Sequence, residues 1–206
     1  MLLLTPGFGS AQTSMQAQSD VPSQAGQEQA AQMVPAQAYL LNKLSAKDTK
    51  PGSQFTARLS ETVHLKNGPE LPKGTELIGT VSTDDMQIKG ASKLALRIAE
   101  ARLKNGKTIP VKATIVGLYA PETETINGNN VAPGEEESND WKSSVLNVDQ
   151  LNAAGGFDLH SRVNGNNSGV LVSTKKNNVK IASGSELALA IAAQSSAEQT
   201  GAGGGN

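Results

Sequence analysis

His64 and His160 are the only imidazoles in this 206-residue chain, and with no cysteine present they bound the chemistry it can do. A metal centre needs further ligands at set spacing, and neither histidine has one on a recognisable element. Asp158 and His160 would share one face of a strand, with Ser161 beside them and Ser168 nearby, which is raw material for a nucleophile and its base. No nucleophile elbow or oxyanion-type glycine motif accompanies them. A surface histidine next to a turn is the favoured reading, and no catalytic residue is assigned.

Other candidates reduce in the same way. Asp84 with Asp85, and the run Glu135-Glu136-Glu137, offer carboxylates for calcium but lack the spaced oxygen ligands and turn glycine of a binding loop, so they read as solvated loop charges. Gly74-Thr75 and Gly184-Ser185 resemble phosphate cradles, yet no Lys-Ser/Thr follows and no helix opens there. They read as structural turns. Trp141, the single tryptophan, is either a partner contact or the large side chain that closes a helix onto a sheet. No metal or cofactor is assigned.

Composition narrows the class further. The formal net charge is −1 and the sequence pI about 6.1, which leaves no electrostatic footprint for nucleic acid or an anionic membrane surface. Only 3% of residues are aromatic, so any core must be built from Val, Ile, Leu and Ala. Residues 1–11 read as the back half of a secretory signal, with Gly9 and Ala11 suiting cleavage before Gln12. The positively charged front is missing, which implies a start upstream of Met1 or a trimmed leader. This short apolar stretch cannot span a bilayer, which takes about 20 residues, and no transmembrane segment is expected.

The positioning elements follow from patterning. Residues 12–35 hold Gln, Ala, Ser and Pro with little to bury and read as a disordered linker. Order is expected from about Tyr39, within one β-rich domain over 36–193. From Phe55 to Leu65 apolar and polar residues alternate as in a strand with one buried face, interrupted at Glu61 by a bulge or the sheet rim. Leu71-Pro72-Lys73-Gly74 forms a turn into a strand carrying Leu77, Gly79 and Val81 on one face. Residues 82–90 read as a loop. Lys93 to Leu103 contains good helix formers, but Asn105-Gly106 calls for a type I′ hairpin with a strand on each side, the second running through Ile109, Val111, Ala113 and Ile115. A mobile loop is expected at 121–140, and Trp141, Val145, Val148 and Leu151 recur at helical spacing. Short strands follow at about 157–163, 170–173, 179–181 and 186–192, before a disordered Gly-rich tail at 194–206.

The stretch Phe55 to Leu65, the Leu71-Pro72-Lys73-Gly74-Thr75-Glu76-Leu77-Ile78-Gly79 turn and strand, Leu94 to Leu103, and Asn105-Gly106-Lys107-Thr108-Ile109-Pro110-Val111 together resemble the C-terminal β-barrel domain of the TrbI family. That family builds envelope channels of conjugation and type IV secretion. The likeness covers roughly residues 39 to 117, with weaker support over 157 to 192, and the chain is also similar to small exported β-proteins of unknown function. The resemblance implies a β-barrel, a bacterial envelope location in the periplasm or outer envelope, and a protein partner or self-association.

The expected fold is therefore mainly β, a partly closed barrel or sandwich of about seven to nine strands with one short helix and disordered termini. Pro72, Gly74, Asn105, Gly106 and Gly184 are its structural turns, and Trp141 its candidate partner contact. The expected function is a non-catalytic exported structural or protein-interaction module of the envelope. A small-molecule or glycan-binding barrel is the alternative.

Overall fold

A computed structural model of the chain describes residues 24–121, 147–153, 156–175 and 178–194. Among the described residues one helix, α1 (Gln24–Gln32), precedes thirteen strands: β1 (Val34–Leu40), β2 (Leu44–Ser45), β3 (Gln54–Leu59), β4 (Val63–His64), β5 (Glu70–Leu71), β6 (Glu76–Ser82), β7 (Ser92–Arg102), β8 (Thr108–Tyr119), β9 (Asn147–Ala153), β10 (Phe157–Arg162), β11 (Gly169–Ser173), β12 (Lys180–Ile181) and β13 (Glu186–Ala193). The main sheet runs β6-β3-β1-β13-β8-β7-β11-β10-β9, all antiparallel, and β6 also pairs with β7. That extra pairing closes β6-β3-β1-β13-β8-β7 into a six-stranded barrel. The mainly β expectation holds, and the architecture is a closed barrel carrying a three-strand extension.

The extension starts at a fork. One edge of β7 pairs with β6, while the other pairs with β8 only from Glu100 to Arg102 and with β11 from Ser92 to Leu96. The β7 to β8 ladder stops at Pro110, which has no N–H to donate. Ser168 bridges the gap: its N–H donates to Leu96 O at 2.7 Å, its Oγ accepts from Ile98 N at 2.9 Å, and its carbonyl accepts from Ile115 N at 2.7 Å.

Alternation sends one face of each barrel strand inward, where Phe55, Leu77, Leu96, Ile115, Leu187, Leu189 and Ile191 are buried in one cluster. Gly79 belongs to this face, and the Phe55 ring occupies the space its missing side chain leaves: a Cβ there would lie 2.2 Å from Phe55 Cζ. β13 is covered on both sides, because its outward Ala190 and Ala192 pack with Ala30, Met33 and Val163. Small side chains let α1 approach closely. Its last turn is held by Lys66, whose Nζ donates to Ala31 O at 2.8 Å, a cation where the helix leaves carbonyls unpaired.

Several local expectations are corrected. Residues 24–35 are not a spacer, since they form α1 and the start of β1, and Ala30 and Met33 provide the burial that the composition of the linker as a whole conceals. Helical spacing around Trp141 to Leu151 misleads, because Asn147–Ala153 is strand β9, paired with β10, and the flanking residues 141–146 lie outside the described residues. The stretch from Phe55 to Leu65 is two strands separated at Ser60-Glu61-Thr62, and β4 forms its own small hairpin with β5. The Asn105-Gly106 hairpin is present without a type I′ turn. Gly106 N donates to Leu103 O and Leu103 N to Lys107 O, with positive φ at Gly106 (83°) and not at Asn105, so a three-residue loop ends in a glycine bulge. The loop expected at 121–140, the linker before residue 24 and the tail after 194 fall outside the described residues apart from Pro121 and Gln194.

Candidate interaction surface

Three turns share one construction. In Lys50 to Ser53, Pro72 to Thr75 and Ala182 to Ser185 the fourth N–H donates to the first carbonyl, and the third residue is glycine with φ of 89°, 85° and 82°. Positive φ at the third position makes each a type II turn, where glycine carries no Cβ penalty. In every copy the glycine N–H donates to a neighbouring strand: Gly52 to Val81 O, Gly74 to Leu59 O and Gly184 to Leu40 O. Those glycine amides are thus committed to the barrel, which removes the donors a phosphate cradle would need. Thr75 and Ser185 are buried, and Thr75 Oγ1 donates to Pro72 O at 2.7 Å. Gly52-Ser53-Gln54-Phe55 is a third copy of the same glycine, hydroxyl, long polar and large apolar order.

Turn placement assembles charge. Glu76, just after the second turn, lies in direct register with Arg58 on β3 and Arg102 on β7. Its two carboxylate oxygens accept from Arg58 Nη2 at 3.3 Å and Arg102 Nη2 at 2.8 Å. These hydrogen bonds, Arg102 first and then Arg58, hold the Glu76 carboxyl below its ordinary range. Beside this ladder, Gly74, Leu103, Lys104 and Gly106 complete the lining of an open cleft of about 490 Å³. The Lys104 stem crosses the bare Gly74, where a Cβ would come within 3.3 Å of its Cε. Three cations and one carboxylate leave the cleft net positive.

The histidines take different partners from those considered above. His160 Nδ1 lies 2.6 Å from Asp149 Oδ1 across the β9 to β10 ladder, and Arg162 reaches both oxygens of the same carboxylate at 3.2 Å. Burial alone would raise the Asp149 carboxyl, but the bonds from His160 and Arg162 and the arginine charge outweigh it and hold it low. Asp158 instead accepts from Asn152 N at 3.2 Å, so the Asp158 and His160 pair is not made. Ser161 lies on the opposite face of β10, fully buried, its Oγ without a hydrogen-bond partner among the described residues. Ser168 serves the fork. His64 sits at the exposed β4 to β5 hairpin, 3.4 Å from Glu70.

Asp84 and Asp85 both have bonded partners, Asp84 with its side chain largely covered and Asp85 at an exposed position. Lys93 Nζ lies 2.9 Å from Asp84, whose side chain is 8% exposed, and Asp85 accepts from Asn166 N at 2.8 Å, tying this loop to the one at the fork. Among the described residues no three His, Asp or Glu side chains group as metal ligands. Trp141 and Glu135-Glu136-Glu137 lie outside the described residues.

No protein-family model matches the chain, and no curated protein matches it. Solved structures that resemble it include ComB10 of the Com type IV secretion system of Helicobacter pylori, at 13% identity over 77% of this chain and 83% of that one, with a TM-score of 0.35. At that identity and score the likeness assigns neither activity nor partner.

Proposed function

We propose that this protein is a non-catalytic structural or protein-interaction module of the bacterial envelope, exported and TrbI-like in the order of its turns and strands. The observation that carries the reading is the filled barrel. Side chains from all six strands pack its interior, with Phe55 lying against the bare Gly79, so recognition falls to the outer wall and loops. The same packing weighs against a small molecule or glycan in the barrel mouth. The leader-like residues 1–11 support export, and no helix among the described residues is long and apolar enough to cross a membrane.

The test is fractionation of cells making the chain, followed by light scattering on the released protein. Release with the periplasmic contents, in a complex heavier than the 21.3 kDa chain, is expected. Trp141→Ala should shrink that complex. Retention in the cytosol, together with monomer mass for both proteins, would refute the proposal.

A further inference from the structure

The Arg58, Glu76 and Arg102 ladder bears on what kind of partner the outer wall can take. These residues sit on three adjacent strands in direct register, so the outer two lie two inter-strand spacings apart, about 10 Å between backbones. Each guanidinium commits one nitrogen to Glu76 and keeps its remaining donors. Lys104 adds a further ammonium, which has no carboxylate partner among the described residues. Donors and positive charge therefore exceed what the cleft itself consumes.

Glu76 shapes the selectivity. An ionised carboxylate between the two arginines repels an anion centred over the ladder, which disfavours a compact ligand such as phosphate. It tolerates a ligand with negative charge at two separated points and none between. A peptide in the extended polyproline II conformation has three residues per turn and rises about 3.1 Å per residue, so carboxylates three positions apart lie on one face and span about 9 Å, matching the two arginines. Guanidinium to carboxylate pairing supplies paired, charge-assisted hydrogen bonds at each end.

We propose that the cleft lined by Arg58, Gly74, Glu76, Arg102, Leu103, Lys104 and Gly106 binds an extended acidic peptide segment of a partner protein, reading two carboxylates set three residues apart. This deepens the interaction-module reading and rests on it only in taking the partner to be a protein. Arg58 and Arg102 hold one carboxylate each, and Lys104 reinforces the end near the β7 to β8 turn.

The experiment uses the purified full chain and fluorescence anisotropy with four probes: a labelled Gly/Ser peptide with two glutamates three positions apart, the same peptide with adjacent glutamates, inorganic phosphate, and phosphatidylglycerol vesicles. The spaced peptide should bind best and weaken with added salt. Lys104→Glu should weaken it about tenfold, while Lys89→Glu, the same charge change at an exposed loop position, should leave it within about twofold. Both variants should keep the parent melting temperature. Equal binding of the two peptides, displacement by equimolar phosphate, preferential binding to vesicles, or indifference to Lys104→Glu would each overturn the proposal. So would binding that emerges only when Glu135, Glu136 and Glu137 are changed to Gln, which would give the cleft to the chain's own acidic run. Cytosolic retention with intact peptide binding would sink the envelope reading alone, and envelope release without peptide binding would sink only this one.

Discussion

Gly79→Ala is the sharpest probe of the filled barrel. The added methyl would meet Phe55 Cζ, Cε1 and Cε2 at 2.2, 2.5 and 2.8 Å, whereas carbon atoms rest at about 3.5–4.0 Å. Gly79 pairs with Phe55 across β3 and β6, and the ring is 1% exposed, so it cannot escape the methyl by swinging into solvent. Either the ring leaves its rotamer well or the two strands part. Overpacking of this kind costs about 1–3 kcal/mol, and the depth of overlap puts this case at about 3 kcal/mol. For a chain of this size that lowers Tm by roughly 6–12 °C. Thermal unfolding followed by circular dichroism reads the shift. Phe55→Leu removes the far ring atoms, so the double variant should be more stable than the sum of the single losses, by about 1–3 kcal/mol of coupling. A Gly79→Ala Tm within 2 °C of the parent, or a strictly additive cycle, would refute the packing argument.

Three further outcomes are expected. Ser161→Ala removes a buried hydroxyl that has no partner among the described residues and should be neutral or stabilising in urea unfolding, whereas Gly169→Ala, whose methyl would sit 2.9 Å from Ser161 Oγ and 3.1 Å from Leu159 Cδ1, should destabilise. The carboxyls of Glu76 and Asp149 are held low in the folded chain, so each contributes stability that is present above its unfolded pKa and lost as pH falls through the folded one. The urea midpoint of Glu76→Gln should therefore lie below the parent at neutral pH and converge with it below about pH 4; a constant gap would contradict the ion-pair account. Met33→Ala should cost about 2–5 kcal/mol and raise hydrogen exchange in α1, since Met33 and Ala30 are the buried contacts holding that face; unchanged exchange would mean the helix is held otherwise.

What sequence alone determined here is local: period-two alternation and turn glycines. The strands around Phe55, Leu77, Leu96 and Val111 were legible because a half-buried strand must place apolar residues at every second position. β7 is instructive, since Ala95, Ala99, Glu100 and Ala101 favour helix locally, yet the Asn105-Gly106 signal and the need to pair beside it correctly outweighed propensity. Where pairing partners lie far apart in sequence, local reading failed. Val148 and Leu151 have helical spacing but join the sheet through β10, and α1 gains its burial from β13, which is more than 150 residues away. The same limit hid the cleft. Arg58, Glu76 and Arg102 carry no shared motif, and only the closing of β6 onto β7 sets them in one register, because cross-strand neighbours are chosen by barrel closure and not by position along the chain.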